Sequence, residues 1–343
     1  MALEDIRRCL VIRRDNIGDL VCTTPVFEAL RGRFPRAWIG ALVNSYTAPV
    51  LAGNPNLDAV FTYRKAKHRN PGESALAVYW QTWRMLRTLQ GLRIDLVVLA
   101  SPGWQASAAN LARWVRPRQV LGFTHPGSSP DLAVPAATAG MLHQVENTFR
   151  ILLPLGVDIR PPAPRIYPDA VLVAGWQERL QAARGPVVGV HISAREADRR
   201  WPEEHFSELI RRLLRDADIR VVMTWAPGAG DRKEFPGDDA AAASIIRAVG
   251  DKRLLAVPTE SLADLIASIS VCDIMICSDG GPVHLAAAQS RPVVALFGSE
   301  HPELWYPWGV PYRLLRKPSL QVKDIQVDEV LQAAHALIGR SDC

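Results

Sequence analysis

Residues 271–288 constrain the fold more than any other stretch of this chain. Val271 to Cys277 is an apolar run of strand length, Ser278 to Gly281 is a polar turn with two glycines, and Pro282 to Ala288 is an Ala-rich helix with His284 in its first turn. A strand that feeds a helix through such a turn leaves backbone N–H groups and the positive helix end beside Ser278 and Asp279. That arrangement suits an anion, above all a phosphate. An ordinary strand-to-helix connection would carry the same letters.

A second turn of the same kind lies upstream. Val187 to Ile192 reads as a strand that ends in Ser193, Ala194, Arg195, Asp198, Arg199, Arg200 and Trp201, and helical spacing begins at Glu203. Both turns belong at the carboxyl edge of one parallel sheet, where open α/β sheets take ligands.

The same alternation runs through the first half. Strands are expected at Cys9–Ile12, Trp38–Val43, Ala59–Tyr63, Leu96–Leu99 and Val120–Phe123, and helices at Tyr79–Leu89, Ala106–Val115 and His143–Leu155. Pro25 restarts the first helix. Thr124 to Thr138, rich in Pro, Gly and Ser, reads as a surface loop. Pro161, Pro162 and Pro164 mark a hinge that runs from Gly156 to Gly185, giving domains 1–165 and 166–343. In the second, strands are expected near 187–192, 219–224, 253–257, 273–277 and 293–297, with a last helix at Val327–Ile338. The fold class is α/β with doubly wound parallel sheets.

With 343 residues and 48% hydrophobic content, the chain has enough apolar material for two such domains. A net charge of +5 favours an anionic partner: a phosphorylated glycolipid, a nucleotide or a membrane surface. No nucleic-acid motif is present. Cys9, Cys22, Cys272, Cys277 and Cys343 lack zinc or CxxC spacing and read as reduced residues, four of them in or beside apolar stretches. Charged residues at 4, 5, 7 and 8 and the lack of a membrane-length apolar run place the protein in the cytoplasm, with peripheral contact to the inner membrane left open.

Four segments together resemble glycosyltransferase family 9, the heptosyltransferases of lipopolysaccharide core assembly. They are Gly18 to Pro25, His191 to Phe206, Ser278 to Ala286 and His301 to Gly309. The resemblance spans nearly the whole chain and implies a GT-B fold, two Rossmann-like domains facing a cleft, in which the last helix often packs back on the first domain. It implies an inverting, metal-independent transfer of heptose from ADP-heptose, or of a sugar from another nucleotide sugar, to an anionic lipopolysaccharide acceptor, with no cofactor. Departures from the family pattern stand at Ser193, Ala197, Arg199 and Gly280. A nucleotide-sugar-binding protein without turnover, or an epimerase of the same shape, would share the fold.

Asp19 is the candidate base, near a helix N-terminus whose dipole should keep it ionised; it could equally cap that helix, and Asp15 is the alternative. Donor binding is expected from Ser193, Ala194, Arg195, Arg199, Val257, Ser278, Asp279, Gly280, Gly281 and His284. Asp279 would meet sugar hydroxyls or cap its helix, and Arg199 would meet the diphosphate. Arg13, Arg64, Lys65 and Lys67 are assigned to the acceptor, although the basic run 64–69 also reads as a solvated face. Asp216 and Asp218 have the spacing of a metal-binding pair but precede a strand, and are read as a solvated turn.

Overall fold

The computed structural model describes residues 5–63, 74–103, 105–127, 130–135, 142–180, 185–230 and 237–339. The chain divides into two units, Met1–Arg165 and Ile166–Cys343.

In the first unit the sheet is built from β1 (Arg8–Arg13), β2 (Trp38–Asn44), β3 (Ala59–Tyr63), β4 (Leu96–Leu99), β5 (Gln119–Thr124) and β6 (Leu132–Pro135). All pair in parallel in the order β3-β2-β1-β4-β5-β6. The central strands are nearly all apolar because helices cover both faces, so neither side needs a polar row. Short α1 (Ile17–Val21) stops before α2 (Thr24–Arg33), which carries Pro25 in its first turn, where a missing N–H costs nothing. Helices α3 (Ala75–Gly91), α4 (Ala106–Val115) and α5 (Gln144–Phe149) complete the unit.

The expected loop at 124–138 contains a strand. In β6, Leu132 pairs with Leu121 and Val134 with Phe123, and Val134 is buried. Pro135 ends it, as an edge strand permits. The helix expected over 143–155 is also shorter: after α5 the chain tightens into a 3₁₀ turn at Arg150–Leu155 that contains Pro154.

The second unit repeats the plan with β7 (Val187–His191), β8 (Arg220–Trp225), β9 (Leu254–Pro258), β10 (Ile274–Ser278), β11 (Val293–Phe297) and β12 (Tyr312–Arg316). Their order is β12-β11-β10-β7-β8-β9, again all parallel. Numbered within its own unit, this is the order of the first sheet. Strand β12 was not expected, since its arginines interrupt the apolar run. The helices are α6 (Ala170–Leu180), α7 (Glu203–Leu213), α8 (Asp239–Val249), α9 (Leu262–Ser270), α10 (Gly281–Ala287), α11 (Pro302–Trp305) and α12 (Val327–Ile338).

Phe206, Leu209, Ile210 and Leu213 of α7 bury one face against Val188, Val190 and Val221, each side chain contributing about 1.5–3 kcal/mol. The last helix, for which a return to the first unit was suggested, buries Val330, Ala333, Ala334 and Leu337 in the core of the second. Its apolar face is satisfied there. Each sheet reverses its strand order once, between β1 and β4 and between β7 and β10, and a doubly wound sheet binds ligands at that switch point.

Candidate functional site

At the switch point of the first unit stands a buried arginine between two carboxylates. Arg13 ends β1 and is 2% exposed. Its Nη2 donates to Asp19 Oδ1 at 2.8 Å, its Nε lies 2.8 Å from Asp15 Oδ2, and its Nη1 donates to the Ala100 carbonyl just past β4. Asn44, at the end of β2, fixes the intervening loop by donating Nδ2 to the carbonyls of Arg14 and Asp15 at 2.7 and 3.0 Å. Arg13, assigned to the acceptor, is buried here and holds the two acids through these contacts.

Those acids differ in their surroundings. Asp15 also accepts from Ser101 Oγ at 3.2 Å and from Gln105 Nε2. Asp19, third residue of α1, accepts otherwise from the Asn16 N–H at 3.2 Å. Burial raises the Asp19 carboxyl above its ordinary value; the Arg13 charge opposes this and the Asp15 charge adds to it. The net shift is upward, with desolvation its largest cause. A carboxylate shifted upward is a stronger base for a hydroxyl proton. Beside this cluster a cavity of about 380 Å³ opens between α4 and the sheet, walled by Ile12, Leu99, Ser101, Gln105, Phe123 and His125. Arg64, Lys65 and Lys67 lie outside the described residues.

At the switch point of the second unit the turn between β7 and α7 is pinned at both ends. His191 is buried against Thr224 Oγ1 at 3.0 Å, and burial pushes its pKa down to about 4, so it is neutral. Trp201 donates Nε1 to the Ile325 carbonyl at 2.9 Å and sets its ring edge-on to Phe206 at 4.9 Å. Between them, Ser193 Oγ accepts from the Ala226 N–H at 2.9 Å, Ala194 is half-buried and Arg195 is exposed.

Arg199 ends a 3₁₀ turn at Ala197–Arg199 and reaches two acids. Its Nη1 lies 2.9 Å from Asp279 Oδ2 and its Nη2 donates to Glu300 Oε1 at 2.6 Å. Asp279 follows β10 and is 7% exposed. Burial raises its pKa to about 6; Arg199 draws it down, while Glu300 and Asp198 push it up.

Gly280 adopts φ 150° and ψ −163°, a conformation open to glycine almost alone. Gly281 begins α10, Ser278 is buried at the end of β10, and His284 is buried with its ring edge-on to Trp305 at 5.5 Å. Val257 lies on edge strand β9, two strands from β7 and so about 10 Å from it.

Glu300 escaped the sequence reading, as did Gly298 and Ser299. Ser299 donates N–H and Oγ to Asp198 Oδ2, and a Cβ on Gly298 would come within 2.9 Å of the Asp198 carbonyl. All three follow β11 at the carboxyl edge, which was the available signal. Asp216 and Asp218 are exposed in a turn where the Asp218 N–H donates to Asp216 Oδ1 at 3.1 Å. Among the described residues no group of three or more His, Cys, Asp or Glu is placed to hold a metal ion.

Comparison with known proteins gives a consistent result. The model of glycosyltransferase family 9 (heptosyltransferase) matches residues 82–335. Lipopolysaccharide heptosyltransferase 3 of Escherichia coli (strain K12) is 26% identical over 304 residues, covering 85% of this chain and 82% of that protein. The crystal structure of a family 9 glycosyl transferase from Veillonella parvula DSM 2008 superposes with a TM-score of 0.82 at 20% identity, covering 99% of each chain. An E. coli heptosyltransferase solved with ADP-2-deoxy-2-fluoro heptose gives 0.76 at 20% identity, covering 96% of this chain and 99% of its own.

Proposed function

The chain belongs to glycosyltransferase family 9, and from that premise we propose that it transfers heptose from ADP-heptose to an inner-core acceptor of lipopolysaccharide, with inversion and without a metal. The names and bound ligands of the relatives support the donor and the acceptor class. The observation that carries the chemistry is the Asp19 carboxylate, raised by burial and steered by Arg13 at a switch point. Asp19 takes the acceptor hydroxyl proton while that oxygen attacks the anomeric carbon opposite the diphosphate. ADP departs with the electrons of the glycosidic C–O bond, its charge met by Arg199 and the helix start at Gly281–His284. Ser193, Ala194, Arg195, Ser278 and His284 border that donor site, Asp279 accepts from sugar hydroxyls, and Val257 borders the nucleoside.

In this reading domain 1–165 takes the anionic glycolipid, through Arg64, Lys65 and Lys67, and domain 166–343 takes the donor. The reaction runs in the cytoplasm with peripheral contact to the inner membrane. Two measurements test it. ADP-heptose should raise thermal stability more than other nucleotide sugars, since a ligand of the native state stabilises by mass action. Transfer should also survive EDTA; a strict need for magnesium or manganese would overturn the metal-free mechanism.

A further inference from the structure

Helix α3 has two unlike faces. Met85, Leu86 and Leu89 turn inward and join the core of the first unit beside Tyr63 and Val97. On another face Leu76, Tyr79, Trp80 and Trp83 stand 79%, 65%, 56% and 54% exposed. Their spacing puts all four on one stripe of the helix. Single exposed apolar residues are ordinary; four large ones on one stripe mark a surface that meets something.

The charges around the stripe select what it meets. Arg84 lies over the Trp80 ring at 5.3 Å and Arg87 over Trp83 at 5.7 Å. On neighbouring α4, Arg113 and Trp114 are exposed, and the Trp114 carbonyl accepts from Gln90 near the end of α3. Neither helix contains an acidic residue. A second copy of the chain would therefore bring arginines against arginines with no carboxylate between them. A layer of anionic headgroups complements the arginines, and the acyl boundary beneath accepts the tryptophans and Tyr79.

We infer that the outer face of α3, continued by Trp114, docks the protein on an anionic lipid surface. This deepens the membrane contact in the proposed function and rests on that reading for its purpose alone. The strands run parallel and α3 returns from β3 to β4, so the end carrying Leu76, Tyr79 and Trp80 lies toward the carboxyl edge of the sheet, the edge that holds Asp19. A lipid-linked acceptor would thus be met on the side of the base.

The test floats the full-length protein with vesicles of phosphatidylglycerol and phosphatidylethanolamine, and separately with phosphatidylcholine alone. Flotation is expected with the first and not with the second. Trp80→Ala with Trp83→Ala should lower the partition coefficient by about tenfold or more. Arg84→Gln with Arg87→Gln should lower it about tenfold at low salt and less at high salt. These side chains project into solvent, so thermal melting of the variants should match the parent, and brominated acyl chains should quench the parent's fluorescence more than that of the tryptophan variant. Three results would overturn the inference: no flotation of the parent, equal flotation of the tryptophan variant, or a dimer of the parent that the variant abolishes. Transfer to an acceptor stripped of its acyl chains is the separate readout. Its absence in the parent counts against the proposed function and leaves the vesicle result standing.

Discussion

The two units solve one problem twice and differently. Each sheet has the same strand order, and each places an arginine between two carboxylates at its switch point: Arg13 with Asp15 and Asp19, Arg199 with Asp279 and Glu300. The Arg13 side chain is 1% exposed and grows from the strand itself, its two terminal nitrogens donating to Ala100 and Asp19. The Arg199 side chain is 19% exposed and grows from a turn, and Glu300 is 39% exposed; among the described residues the Nε of neither arginine donates a hydrogen bond. Removing one member of a buried charge cluster strands the others, whereas a half-open cluster can trade a partner for a ligand. In the proposed function the first triad holds the base and the second exchanges an anion.

The largest expected effect falls on that base. Asp19→Asn keeps the size of the side chain and removes the proton acceptor, so turnover should fall about 10²–10⁴-fold while donor affinity changes little. Steady-state rates and ADP-heptose titration separate the two. Normal turnover would pass the role to Asp15; parallel loss of rate and donor binding would make Asp19 structural.

Arg13→Met tests whether the first triad is as fixed as its burial says. The substitution leaves two carboxylates close together without their cation, and should cost about 3–5 kcal/mol in urea denaturation at neutral pH. The loss should shrink in acid, where the carboxylates protonate. A loss under about 1 kcal/mol would erase the contrast with Arg199.

The contrast was only partly legible beforehand. Strands β3 and β4 and helices α4 and α12 have the boundaries their apolar spacing indicated, because burial on two faces or one writes itself into the sequence. Strands β6 and β12 were not indicated, since proline or arginine breaks the apolar pattern of each. At the site, the turns were legible through the carboxyl-edge rule. The directions of the charges were not: nothing in the letters turns Arg13 inward, raises Asp19 by burial, or sets Glu300 against Arg199 across a hundred residues.

Burial of Asp279 has a pH signature. Its pKa of about 6 in the fold exceeds the ordinary carboxylate value of 3.8, so the fold prefers the protonated form. That preference stabilises fully below the unfolded value and is lost as pH rises through 6, a change of about 3 kcal/mol at most. Asp279→Asn should therefore melt above the parent at pH 8, with the gap closing towards pH 4, even as donor binding is lost. A parent that melts above the variant at pH 8 would show that the ion pair with Arg199 outweighs desolvation.

The smallest effect is the most discriminating, because its sign is at issue. Glu300 Oε1 holds Arg199 Nη2 at 2.6 Å, a donor that a diphosphate oxygen would use, and its charge also pushes Asp279 toward protonation. Arg199→Ala should weaken ADP binding by about 1.5–3 kcal/mol, the worth of a charge-assisted contact. Glu300→Gln should act in the opposite direction. It keeps an oxygen for Arg199 but removes a negative charge beside the incoming phosphate, so ADP should bind about two- to fivefold more tightly, the size of a half-exposed pair. The gain should fade with added salt. Calorimetric titration of the parent and both variants reads all of this. Weaker ADP binding in Glu300→Gln would mean that Glu300 itself contacts the ligand, and the second triad would then be as fixed in its partners as the first.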